Sequence, residues 1–296
     1  MQRLTYAFRF ITACFSLAIK HPRLRKPWLY FWMGGIALLF LWLILFSLVI
    51  AVAGIKPLGM VLIGLLIILL LFCLLAWGEI TALETCWIFG DLIREDLVVS
   101  DSAQGKQEFA HWRDAFLWVL TLPGLELIRF FTVIFRPSRA AELNWLDASY
   151  LMLPVISLED FSLGEGVERI KQLVAGRLLR FHPHLVGVRP VAGVLQWALI
   201  LGGGLLGTRV GLVTADPATA GLLSRLFAVA LGMMLAGILA LLGIFISSFS
   251  RACYYTTLYQ WALNVESARM TGVASRSVPP VILSQVMRLK NLSKKE

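Results

Sequence analysis

The chain has 296 residues, of which 58% are hydrophobic and only 15% charged, with a mean hydropathy of +0.78. A soluble globular domain carries about 25% charged residues, so this composition excludes an ordinary water-soluble fold. The net charge of +9 is arranged for orientation in a bilayer rather than for nucleic acid, because six basic residues (Arg3, Arg9, Lys20, Arg23, Arg25 and Lys26) crowd ahead of the first apolar run.

The N-terminal segment, 1–26, has helical spacing. Leu4, Phe8, Ile11, Phe15 and Ala18 recur on one face, and Thr5, Arg9, Thr12, Ser16 and Lys20 on another. A helix with that pattern lies in the membrane interface or packs on a bundle. The stretch 27–78 supplies two spans. Trp28 to Ala53 and Leu58 to Trp77 hold no charged residue, and a turn at Gly54-Ile55-Lys56-Pro57 separates them. About 20 apolar residues suffice to cross a hydrocarbon core of roughly 30 Å. No A-x-A cleavage pattern follows the first run, so it is expected to remain as an uncleaved span.

The middle, 79–189, is expected to hold cytoplasmic and interfacial helices. The second span should continue as a helix past Glu79, Glu84 and Asp91. Ala115 to Phe135 is long enough to cross but carries Glu126, Arg129 and a Pro123-Gly124 break. Leu143 to Leu158 contains Asp147 and Pro154 and is too short to cross. Charges at the bilayer centre cost several kcal/mol, about 3 kcal/mol each on insertion scales, which favours a broken or half-penetrating helical pair. Next comes an amphipathic helix opened by a Ser162–Glu165 capping box. Val167, Ile170, Val174 and Leu178 are its apolar stripe, and Glu165 and Arg169 are an i,i+4 ion pair.

Two last spans fall within 190–250, in Val191 to Leu206 and Leu222 to Phe249, followed by a basic tail over 251–296. All of the 27 Lys and Arg residues except Lys56, Arg209 and Arg225 then fall on one side, which puts both termini in the cytoplasm, in a bacterial inner membrane. The expected architecture is a single all-α membrane domain. It is a polytopic helical bundle of four full spans, with a broken pair and amphipathic helices.

Few residues carry chemistry. There is no P-loop, HExxH or G-x-S-x-G pattern, and neither a catalytic residue nor a cofactor is indicated. Cys14, Cys73, Cys86 and Cys253 lack metal-ligand spacing, and His182 and His184 fit a basic interfacial loop better than a metal site. The candidate site is an acidic vestibule of Glu79, Glu84, Glu126 and Glu159, with Arg129 as partner to Glu126 and water, a cation or an arginine such as Arg94 or Arg169 to balance the cluster; the alternative is separate, solvated carboxylates. Gly203, Gly207 and Gly211 at four-residue spacing, with Gly232, suit close helix packing, within the chain or against a protein partner or second copy. Trp28, Trp32, Trp77, Trp87, Trp118 and Trp145 suit interfacial anchoring. The lipid bilayer is the one partner the composition demands, and nucleic acid is not expected.

Trp145, the run Leu153-Pro154-Val155-Ile156-Ser157-Leu158-Glu159 and the following Gly164-Glu165-Gly166-Val167-Glu168-Arg169 resemble an element of uncharacterised bacterial multi-pass proteins. The pattern is also similar to the C-terminal part of choline-transporter-like proteins. The half-membrane helices give a looser likeness, of architecture only, to small sulfate permeases. Ile170 stands where the family has a small polar residue. The resemblance implies a transport-related or permease-like protein with a polar path at the broken middle helices. The competing expectation is a non-catalytic accessory subunit of a membrane complex.

Overall fold

A computed structural model describes residues 2–53, 57–97, 112–135, 145–175, 188–214 and 222–272. Among them lie eight α-helices and no strand: α1 (Gln2–Lys20), α2 (Pro22–Ala53), α3 (Pro57–Leu97), α4 (Trp112–Phe135), α5 (Trp145–Glu159), α6 (Leu163–Ala175), α7 (Val188–Thr214) and α8 (Leu222–Thr271). Four of them, α2, α3, α7 and α8, are long and apolar enough to cross a membrane. The protein is therefore an all-α integral membrane helical bundle.

Helix length shows how the chain is used. At 1.5 Å per residue the 41 residues of α3 extend about 60 Å and the 50 residues of α8 about 75 Å. A hydrocarbon core of roughly 30 Å takes up only about half of either helix. The chain divides accordingly into two units. One holds 28–78 and 192–247; the other holds 1–27, 79–191 and 248–296.

The first unit is made of the apolar stretches of α2, α3, α7 and α8. Its exposed side chains are mostly apolar, such as Met33, Phe40 and Ile44 on α2, Leu65 and Ile68 on α3, Leu201 and Leu205 on α7, and Ile238 on α8. In water this surface would be prohibitive; in a bilayer it meets lipid tails. Arg209 and Arg225 are the only charged residues of this unit among those described. Trp77 does not anchor at an interface by its indole. Its Nε1 donates to the Phe31 carbonyl at 3.0 Å, and its ring lies over Gly34, where a side chain would collide with it.

The second unit has a polar-centred core. On α3, Glu79, Ala82, Cys86, Phe89 and Ile93 are buried at alternating three- and four-residue spacing. On α4 the buried stripe is Ala115, Val119, Leu122 and Glu126. Expected as broken at Pro123-Gly124, α4 runs through Pro123 as one helix. Proline removes one backbone donor, and burial of this stripe on both sides of it holds the helix together. On α5 every side chain from Ser149 to Leu158 is buried, so this short apolar helix is a core helix. Trp118 Nε1 donates to the Ser149 carbonyl at 3.2 Å, tying α4 to α5.

The amphipathic helices are present, but their faces are rotated from the expected ones. The buried face of α1 is Ala7, Phe10, Ile11, Cys14 and Ala18, whereas Leu4 and Phe8 are exposed. A stripe drawn through Leu4 and Phe8 passes over Phe10, whose ring meets Tyr254 edge-on at 5.4 Å. In α6 the capping box forms, with Ser162 N donating to Glu165 Oε2 at 2.9 Å and Glu165 N to Ser162 Oγ at 3.4 Å. The inward residues, however, are Gly166, Ile170 and Leu173, while Val167 is exposed. Gly166 explains the rotation. A Cβ there would sit 2.9 Å from Met152 Sδ, so the bare backbone lets α6 rest against α5. The side chain of Val174, as well as Leu178, His182 and His184, lies outside what the structure describes.

Candidate functional site

The centre of the polar-cored unit is Arg251 of α8, whose side chain is 3% exposed. Its Nη2 donates to Glu79 Oε1 of α3 at 2.7 Å. Its Nη1 donates to Glu126 Oε1 of α4 and to the Tyr150 hydroxyl of α5, each at 2.6 Å. The Tyr150 hydroxyl in turn donates to Glu126. One guanidinium therefore ties three other helices together. Its planar fork of donors suits this task better than a lysine would.

Aromatic rings surround the charges. The Arg251 guanidinium lies 4.7 Å from the Tyr150 ring centroid, and that of Arg189 on α7 lies 4.8 Å from it. Tyr255 stacks on Tyr150 with centroids 5.6 Å apart. Burial is the main force holding the Tyr150 hydroxyl well above the usual phenol range, with Glu126 and Glu79 pushing the same way and Arg251 opposing. The group is a neutral donor at any physiological pH. Two carboxylates and two guanidiniums thus share one buried region, and their charges balance.

A second polar cluster lies in the same unit. Arg169 of α6 grips Glu266 of α8 with both terminal nitrogens, at 3.1 and 2.6 Å, and its Nε lies 3.5 Å from Glu159 of α5. The hydrogen bonds to Glu266 are the main reason this guanidinium is held even more firmly charged than usual. The expected Glu165–Arg169 pair does not form: Glu165 is taken by the capping box, and Arg169 turns to these other carboxylates.

The vestibule residues are thus distributed over separate places. Glu79 and Glu126 meet at Arg251. Glu159 belongs to the Arg169 cluster. Glu84 lies on another face of α3, half-buried, with Lys26 as the opposite charge acting on it. The expected Glu126–Arg129 pair falls outside the described part, because the Arg129 side chain does; among the described residues Glu126 pairs with Arg251, far away in sequence. Among the described residues no His, Cys, Asp and Glu group could hold a metal ion.

Arg251, Tyr150, Arg189 and Glu266 do not stand out in the sequence as site residues. Arg251 reads there as the start of a basic tail, yet α8 continues to Thr271 and buries every side chain from Ser247 to Gln260. The available signal is Ser250-Arg251-Ala252-Cys253-Tyr254-Tyr255, a lone charge among small and aromatic residues.

The glycines act in the lipid-facing unit. A Cβ at Gly207 would collide with the Gly232 carbonyl oxygen, and one at Gly232 with that of Gly207. At Gly203 it would come within 2.8 Å of Leu239 Cβ. Gly211 is looser, with its nearest neighbour, the Ala228 oxygen, at 3.5 Å. Here α7 and α8 cross with their backbones in contact, as small residues permit in lipid.

No family model, no curated protein and no solved structure matches this chain. Function has to be read from the site itself.

Proposed function

We propose that this chain is a transport-related, permease-like protein of a bacterial inner membrane, with both termini in the cytoplasm, in which the Arg251 cluster closes a polar path at the middle helices. The observation that carries the reading is the bridge from Arg251 to Glu79 and Glu126, paired charges buried where α3, α4, α5 and α8 meet. Ionisable groups are expensive to bury unless paired, and such buried clusters occur at functional sites as well as in structural clamps. The likeness of residues 145–169 to choline-transporter-like proteins points the same way, and α5, which lies in that stretch, supplies Tyr150. Opening such a path means parting Arg251 from at least one carboxylate.

Proteoliposomes test this. Wild-type protein should take up a quaternary ammonium cation or a small inorganic anion faster than protein-free vesicles, and Glu79→Gln should change that rate without lowering the amount inserted. No uptake of either solute, together with stoichiometric co-purification of another protein in mild detergent, would establish the alternative, a non-catalytic accessory subunit. The balance of charge within the cluster favours that second reading, since a neutral closed network also serves as a fixed clamp.

Orientation has its own test. Cysteines introduced at Ala218 and Ser293, in a chain whose native Cys14, Cys73, Cys86 and Cys253 are replaced, are exposed to a membrane-impermeant maleimide in intact cells. Ala218→Cys should react at once and Ser293→Cys only after permeabilisation. The reverse pattern overturns the assignment of the termini.

A further inference from the structure

The first 78 residues contain no Asp or Glu, yet they carry Arg3, Arg9, Lys20, Arg23, Arg25, Lys26 and Lys56. Such one-sided charge suits an anionic surface, and the fold shows which face would meet it. Phe10 against Tyr254 and Phe15 against Phe249, with centroids 5.4 and 5.1 Å apart, fix the inward face of α1 on α8. The opposite face is therefore held outward. It presents Leu4, Phe8 and Ile19, at 55%, 49% and 60% exposed, beside exposed Arg9, Thr12, Ser16 and Lys20.

The turn into α2 extends this face. α1 ends at Lys20, and Leu24 N donates to the His21 carbonyl at 3.1 Å. Arg25 donates from Nη2 to the Ile19 carbonyl, which holds its guanidinium on the last turn of α1. Arg23, Arg25 and Lys26 are exposed, and Glu84 is the carboxylate whose charge reaches Lys26. Further along α2, the exposed residues Leu29, Tyr30 and Met33 begin its lipid-facing surface. In sequence the turn immediately precedes this apolar run, the position in which basic residues meet headgroups.

We infer that the outward face of α1 and the α1–α2 turn form a binding surface for anionic phospholipids. Lys20, Arg23 and Arg25 meet the phosphates, and Leu4, Phe8 and Ile19 enter the acyl boundary. The mixture decides between partners. A nucleic acid or a soluble acidic protein uses the charges but leaves three large apolar side chains in water. A membrane surface with negative headgroups uses both.

The test uses the full chain purified in a neutral detergent and titrated with phosphatidylglycerol, phosphatidylcholine, inorganic phosphate or polyglutamate, reading the thermal unfolding midpoint and the lipids retained in native mass spectrometry. Phosphatidylglycerol should raise the midpoint more than phosphatidylcholine and be retained in preference to it, and phosphate and polyglutamate should do neither. Replacing Lys20, Arg23 and Arg25 by Gln should weaken the phosphatidylglycerol response by roughly fivefold for each charge removed. Leu4→Ser with Phe8→Ser should weaken it as well, leaving its salt dependence in place. Equal responses to both lipids, a shift with phosphate or polyglutamate alone, or a triple variant with wild-type response each overturn the inference. Should the triple variant fail to fold, the wild type still decides. In about 1 M salt, where screening acts within about 3 Å, its response to phosphatidylglycerol should fall to that of phosphatidylcholine, and a persisting difference overturns the inference.

Discussion

Arg251→Met should destabilise the protein by about 3–5 kcal/mol, a large share of the 5–15 kcal/mol that typically separates folded from unfolded states. The side chain is almost wholly buried and serves as the common partner of Glu79, Glu126 and Tyr150. Methionine fills much of the volume but leaves two carboxylates in one buried region with no bridging charge. Like charges at close range in a poorly solvated site are costly, and neither carboxylate can move to water without unpacking its helix. Adding Glu126→Gln to Arg251→Met should restore a substantial part of the loss, because one of the two stranded carboxylates is gone, Glu79 keeps the charge of Arg189 nearby, and the amide still offers hydrogen bonds. The measurement is thermal or denaturant unfolding in a single detergent, with all variants compared side by side. An Arg251→Met protein as stable as the wild type would show that the bridge contributes nothing. A double variant no better than the single would show that the loss comes from packing and not from charge.

The contacts behind that loss are ones no local pattern discloses. The four spans are legible because an uninterrupted apolar run of about 20 residues is costly to expose to water and is matched in length by a bilayer core. The continuation of α3 past Glu79 follows from its pattern of buried spacing. Glu79 and Glu126 are legible as ionisable groups among apolar neighbours, which physics forces to find partners. The identity of the partner is not. Arg251 lies 172 positions from Glu79 and 125 from Glu126, and its own neighbourhood reads equally well as the start of a tail. For Glu159 the nearby Arg169 is legible as a partner; what stays hidden is that Arg169 is shared with Glu266, 97 positions further on. The buried faces of α1 and α6 are hidden for a different reason. Periodicity in these helices fits more than one stripe, and the choice is made by details of the opposing surface: the Tyr254 ring that receives Phe10, and the space against Met152 that only Gly166 leaves open. Tryptophan position suggests the interface, but Trp77 and Trp118 use their indoles to bond backbone carbonyls of neighbouring helices.

Gly207→Ala should cost several kcal/mol, at or above the roughly 1–3 kcal/mol typical of overpacking, and Gly207→Leu more. The reason is which atoms oppose it. An added methyl group at Gly207 meets the carbonyl oxygen of Gly232 and, at 2.9 Å, the Cβ of Ala236. Neither belongs to a flexible side-chain end that could swing aside, so α7 and α8 must move apart along their contact. Separation forfeits dispersion contacts that lipid tails restore only in part, and in the bilayer packing is the main force between helices. Gly204→Ala is the matched control: it lies on the same helix, is exposed, and has open space around its would-be Cβ. It should be neutral or slightly stabilising, since alanine favours helix over glycine by about 1 kcal/mol. Gly211→Ala should fall between them, because its nearest neighbour stands at an ordinary 3.5 Å. Unfolding midpoints for the three variants in one detergent decide the matter. The expected order of stability is Gly204→Ala, then Gly211→Ala, then Gly207→Ala. If Gly207→Ala unfolds together with Gly204→Ala, the close crossing of α7 and α8 does not hold the bundle together, and the four-residue glycine spacing has no energetic role in it.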